Sequence, residues 1–417
     1  MRFILKWGLL LIPALALAVP AFAPMPASAQ TRDVRLSDSQ QPGSVIIFPK
    51  FINRAPVRTD SPTGPLLPRT EIELGVVCPP GVPVTTTTCF EHQTIKVHAH
   101  WVCPGDDNVT TKYVCDDTDF VLFLSINGKL AFSADGRSYW SNSPRVPQPN
   151  CPNGYLIAWV VDNADRAIKF DGLIGEAVLR GPINVDAAGF IPPGTSTAVS
   201  AYNGITIQAH PALALNALIN LGGNELHFSG ATSEYLGVTG VVYGDVKFNN
   251  RATDPAHTVP SPANAFSQTF LTFLTLDTNS GHPNNPTFFP ITFYNESLST
   301  VSTTNPLWEF PISRELHIIC FGQFNLTDIH PDLTQEFMGA RKGVFVAGPA
   351  EKIAFAGNSD ETGDVTLLAL VHTVEGTNIG GSPPGLGNQY MERSYIYTVY
   401  NDSVFVETEF EWLPSRD

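Results

Sequence analysis

The sequence predicts an all-β protein of two β-sandwich-like (immunoglobulin-like) domains with minor helix. Short runs of β-branched and aromatic residues recur along the chain, punctuated by Gly, Pro and Asn. That spacing belongs to sandwiches and barrels. Charged residues make up only 15%, against 35 prolines and 33 glycines in 417 residues, so turns are many and surface helices few. Hydrophobic residues at 43% and aromatics at 10% supply a core, which argues against disorder.

The first strand is expected at Ser44–Phe51, where Pro49 signals an edge or a bulge. In Thr70–Val77, Ile72, Leu74 and Val76 alternate with Glu71 and Glu73, the pattern of a half-buried strand. Thr94–Val102 places Ile95, Val97, Ala99 and Trp101 on one face, and Lys96, His98 and His100 on the other. Asp119–Ser125 and Lys129–Ser133 flank Asn127-Gly128 and read as a hairpin. Gly154–Val161 is a buried strand, and Phe170–Leu179 extends the set. Ala212–Leu221, rich in Ala and Leu and stopped by Gly222-Gly223, is the expected helix. A second strand-rich block starts at Phe266, with one helical turn expected in Asp332–Met338. The run Ile47–Asn53 is echoed by Phe288–Asn295, early in each half.

These elements divide the chain into a signal peptide (1–29), an N-terminal sandwich with disulfide-bonded loops (30–248), a Pro-rich linker (249–264) and a C-terminal sandwich (265–417). The leader has Arg2 and Lys6, then an apolar stretch from Gly8 to Val19. That stretch is shorter than the roughly 20 residues a membrane anchor needs. Ala27-Ser28-Ala29 sets cleavage after Ala29, because Pro24 spoils the earlier small-residue site. No second apolar run reaches spanning length, so a secreted or periplasmic product without a transmembrane segment is expected.

With 24 Lys+Arg against 39 Asp+Glu, the net charge is −15. No basic cluster is present to replace the counterions of DNA or RNA, so nucleic acid is excluded as a partner.

Six cysteines in an exported chain are expected to be oxidised. Cys78 and Cys89 flank one loop between strands, and Cys103 and Cys115 flank the next. Both pairs are expected as local disulfides. Cys151 and Cys320 then either join the two halves or stay free. No Cys-x-x-Cys occurs, which argues against a zinc ribbon.

His98 and His100 are the metal candidates, since residues two apart in a strand point the same way. Glu91 or the Asp106-Asp107 loop is the expected source of a carboxylate. Asp106, Asp107, Asp116, Asp117 and Asp119 form a candidate calcium set, although their spacing matches no EF-hand. No cofactor and no bound transition metal are expected, and folding should need no metal. The catalytic residues are unknown, because no nucleophile elbow, metalloprotease helix, phosphate loop or dinucleotide fingerprint occurs. Asp328-x-His330 has no nucleophile beside it. Asn108-Val109-Thr110 fits a glycan acceptor, and Tyr139-Trp140, Trp308 and Trp412 are candidate stacking aromatics.

Gly43-Ser44-Val45-Ile46-Ile47-Phe48-Pro49, together with Phe337–Val346, resembles the opening and a later block of a loose group of uncharacterised exported bacterial β-rich proteins. The resemblance implies export and β structure but assigns no activity. The expected role is therefore a non-enzymatic envelope or extracellular protein that is structural, adhesive or ligand-binding, with an envelope or extracellular polymer as partner. The alternatives are a secreted hydrolase of a polysaccharide or other polymer, and an exported metal-binding protein.

Overall fold

The structure is a computed structural model that describes residues 37–53, 69–105, 115–136, 146–180, 199–249, 265–276, 287–295, 311–352, 366–378 and 390–399, apart from positions 39, 86–87, 220–225, 229, 239 and 350. All lie within one compact unit, Arg35–Asp417. The expected signal peptide lies outside the described residues.

The fold is all-β and sandwich-like, with four antiparallel sheets among the described residues. The first nine strands are β1 (Val45–Ile52), β2 (Arg69–Val76), β3 (Thr94–Val102), β4 (Asp117–Ser125), β5 (Lys129–Ser133), β6 (Asn153–Val161), β7 (Leu173–Arg180), β8 (Val199–Asn203) and β9 (Ile205–Ile207). They form one sheet ordered β4-β3-β6-β1-β9 and a second ordered β5-β2-β7-β8. Alternation drives their packing. Ile46, Phe48, Ile72, Leu74, Val97, Trp101, Leu156 and Ala177 meet in one core between the two sheets. Trp101 is central to it, edge-on to Phe51 at 4.9 Å and near Phe120 and Phe132.

The remaining strands are β10 (Val242–Lys247), β11 (Ala265–Leu276), β12 (Thr287–Asn295), β13 (Ile312–Ile318), β14 (Phe321–Asn325), β15 (Lys342–Ala347), β16 (Glu351–Lys352), β17 (Thr366–Asn378) and β18 (Tyr390–Val399). One sheet runs β10-β15-β12-β13 with β16 beside β12, and the other runs β14-β11-β17-β18. Phe248, Phe273, Phe289, Phe293, Phe345 and Leu367 fill the core between them. Two single-turn helices, α1 (Leu326–Ile329) and α2 (Gln335–Met338), follow β14. The second falls inside the expected helical turn.

A third core joins the two halves. The outer face of the first sheet (Val45, Ile47, Tyr155, Ile157, Trp159) packs with Tyr235 and Phe228 and with Leu274, Ile319, Phe321 and Leu368 of the second half. This explains why every residue of β1 is buried: one face serves the sandwich core and the other the joining core. The β1–β6 register shifts between Phe48 and Phe51, so Pro49 marks a bulge in an interior strand. The echoed segment, β12, is likewise interior to its sheet.

Several expectations need correction. β10, inside the expected N-terminal block, pairs along its whole length with β15 of the second sandwich. Asn249, the expected first residue of the linker, is buried there; its carbonyl groups accept from Thr269 N and Gln335 N. Residues 250–264 lie outside the described residues. The Asn127-Gly128 turn makes no hairpin: β4 pairs with β3, and β5 pairs with β2 in the opposite sheet. The left-handed Asn127 is the one expected of such a turn, but the chain here crosses from sheet to sheet. Residues 211–219 form turns and no helix. Asn216 takes a left-handed φ, and Lys169 exchanges backbone hydrogen bonds with Asn216 and Ala217, so a tertiary partner outweighs local propensity.

Cys78 is joined to Cys89, as expected. The expected Cys103–Cys115 pair is not formed. Cys103 bonds Cys151, and Cys115 bonds Cys320. Cys103 N donates to Asp116 O, continuing the β3–β4 ladder, but strand alternation sends the two thiols to opposite sides of the sheet. Cys151 packs against the first core, whereas Cys115 and Cys320 sit in the joining core.

Candidate functional site

β3, β4 and β6 lie side by side, and their register builds the site. His98 stands opposite Val121 on β4 and Trp159 on β6, and His100 stands opposite Asp119 and Ile157. Residues paired across neighbouring strands share a face, so this row points away from the Trp101 core. The alternation read from the sequence at Ile95–Trp101 and Lys96–His100 is the one that the burial pattern of β3 displays.

The two imidazoles converge. His98 Nε2 and His100 Nε2 are 3.3 Å apart, and Asp119 Oδ1 is 3.1 Å from His100 Nε2. On the other side of the same ring, Asp117 Oδ2 lies 3.2 Å from Nδ1. One ligand atom from each of His98, His100 and Asp119 falls within 4.8 Å of the others. Trp159 floors the pair, its ring 4.8 Å from that of His98 and 4.7 Å from that of His100. Burial pulls the pKa of His98 below its ordinary value, against a smaller opposing pull from Asp119 and Asp165. His98 therefore favours the neutral form, which has a lone pair to offer. Lys96 closes one end of the row through an ion pair to Asp165 at 2.7 Å.

Among the described residues, the carboxylate that joins the two imidazoles is Asp119. Glu91 is exposed and lies 3.9 Å from His92, and Asp106 and Asp107 lie outside the described residues. The candidate calcium set is divided. Asp116 accepts from Asn150 Nδ2, while Asp117 and Asp119 both face His100. A site facing two imidazoles suits borderline metals rather than calcium. Asp117 and Trp159 were the residues missed for this role. Their signal lay in the strand register, which a single sequence does not print.

Elsewhere, His330 Nδ1 accepts from Asp332 N, and Asp328 lines a small cavity of about 160 Å³ where the halves meet. Pro104, Asn153, Phe270 and Phe321 also line it. Ligand pockets usually measure about 300–1,000 Å³, so this one suits no polymer segment. Asn108, Tyr139, Trp140, Trp308 and Trp412 lie outside the described residues. Among the described residues, no helix is long and apolar enough to cross a membrane. No protein-family profile matches the chain, and no curated protein matches it in sequence.

Proposed function

We propose that the chain is an exported, non-enzymatic protein with a structural or adhesive role at an envelope or extracellular polymer, acting through the outer face of β4. The supporting observation is the exposure of that strand. β4 is at the edge of its sheet, and Phe123 is 64% and Val121 39% exposed on the side that carries Asp117 and Asp119. Exposed apolar side chains on an edge strand are a liability unless they meet a partner. The three disulfides fit an oxidising compartment. The joining core supports a rigid carrier for such a face rather than two moving lobes.

The test is cosedimentation of the oxidised protein with isolated cell-wall polymers. Binding should fall at least tenfold in a Val121→Lys/Phe123→Lys variant, and the polymer should stay intact. Release of soluble fragments in proportion to added protein would overturn the reading in favour of a hydrolase. N-terminal sequencing of the exported product should begin at Gln30.

A further inference from the structure

We propose that His98, His100 and Asp119 form a binding site for one divalent transition-metal ion of the zinc or copper class, a reading that does not rest on the polymer-binding role although it uses the same face of β4.

The spacing of the ligand atoms carries the inference. Two nitrogens each about 2.05 Å from a tetrahedral ion lie about 3.3 Å apart. The Nε2 atoms of His98 and His100 are 3.3 Å apart, and Asp119 Oδ1 is 3.1 Å from the second of them. Two of the three donor separations are thus close to those that a shared ion imposes, and the third lies within 4.8 Å.

A second carboxylate strengthens the assignment. Asp117 Oδ2 sits 3.2 Å from His100 Nδ1. Accepting the Nδ1 proton fixes the tautomer that leaves the Nε2 lone pair facing His98 and Asp119. Metal-ligating histidines commonly carry such an outer carboxylate. The rings are also held: both pack on Trp159, and each belongs to a strand hydrogen-bonded on its two sides.

The donor set selects the ion. Two imidazoles and one carboxylate suit zinc, copper or nickel, whereas calcium takes six to eight oxygens. Asp119 is 60% exposed, so the remaining coordination positions open to water. Three protein ligands with an open position differ from the closed four-ligand sites that hold structural zinc. The site also lies outside the sandwich cores, so the metal-free chain should remain folded.

Titration of the oxidised full-length protein with zinc chloride at pH 7 should give one ion per chain, without competition from calcium. His98→Gln or His100→Gln should weaken binding at least 100-fold. Asp117→Asn should weaken it about 10- to 100-fold at unchanged stoichiometry, as loss of an orienting partner does. Copper(II) loaded into the unaltered protein should show coupling to two imidazole nitrogens in its electron paramagnetic resonance spectrum, a readout that needs no variant to fold. No stoichiometric binding, binding unchanged in both histidine variants, or a copper spectrum with oxygen ligands only would overturn the assignment.

Discussion

Cys115 and Cys320 are bonded across 205 residues of chain, with their Cα atoms 6.3 Å apart. Cys115 precedes β4 in the first sandwich, and Cys320 lies between β13 and β14 in the second. Both are buried in the core that joins the halves. The bridge and the apolar contact therefore act at the same place, and each holds the groups that the other needs.

The first prediction follows from that bridge. Non-reducing peptide mapping should recover Cys78 with Cys89, Cys103 with Cys151, and Cys115 with Cys320. A Cys115→Ser/Cys320→Ser variant should lose about 5 kcal/mol by the loop-entropy estimate, against about 3 kcal/mol for Cys78→Ser/Cys89→Ser. Denaturant titration measures both. Equal losses would show that the long loop is already restrained in the unfolded chain.

Trp101 yields the second. It is fully buried, packs on Phe51, Phe120 and Phe132, and donates from Nε1 to Pro147 O at 3.0 Å. Trp101→Ala should cost about 3–5 kcal/mol through the cavity it leaves. Trp101→Phe should cost less, because much of the ring volume stays while the hydrogen bond goes. Chemical denaturation of the two variants should rank them in that order.

Much of the first sandwich was legible because its strands alternate. Ile95 to Trp101 against Lys96 to His100 gave both the core and the candidate ligands, since period two has only one physical meaning in a strand. Register was not legible. Asp119 and Trp159 join the histidines only once β4 and β6 are known to flank β3, and Cys103 parts from Cys115 for a related reason of facing. The Asn127-Gly128 turn shows the limit of local chemistry: a left-handed Asn closes the turn whichever sheet the chain enters next. Ala212–Leu221 is not a helix because Lys169 supplies backbone partners to Asn216 and Ala217 from 47 and 48 positions away in the chain, information that no helix propensity contains.

The third prediction concerns Gly343, which sits between Val246 of β10 and Asn295 of β12. A methyl group there would run into the carbonyl oxygen of Tyr294 and the ring of Phe248. Gly343→Ala should therefore cost more than about 2 kcal/mol, since overpacked sites must shift backbone. Gly81 makes a useful control: its φ is +78° but an added methyl meets open space. Gly81→Ala should cost only about 1 kcal/mol, the strain of a left-handed residue. Equal losses in thermal melts would argue against the close β10–β15–β12 pairing.

The last prediction is a pH dependence. His372 on β17 is fully buried, 6.3 Å from the ring of Phe270. Lys50 of β1, almost fully buried as well, lies over that same Phe270 ring at 6.0 Å. Burial, and then the Lys50 charge, hold the His372 pKa well below its ordinary value of 6.5. The native state therefore keeps this imidazole neutral at pH values where the unfolded chain already binds a proton. Stability from this group is complete above about pH 6.5. It falls as the pH drops below that value, until the native group itself titrates, because the unfolded state then holds the extra proton. The slope is about 1.4 kcal/mol per pH unit for one proton. His98, lowered by burial to a lesser degree, acts in the same direction. Urea unfolding of the unaltered protein between pH 7.5 and 5.5 should show the decline, and His372→Gln should flatten it by about one proton's worth. The same slope in the variant would mean that His372 binds its proton as readily in the fold as in the unfolded chain, against its burial beside the Lys50 charge.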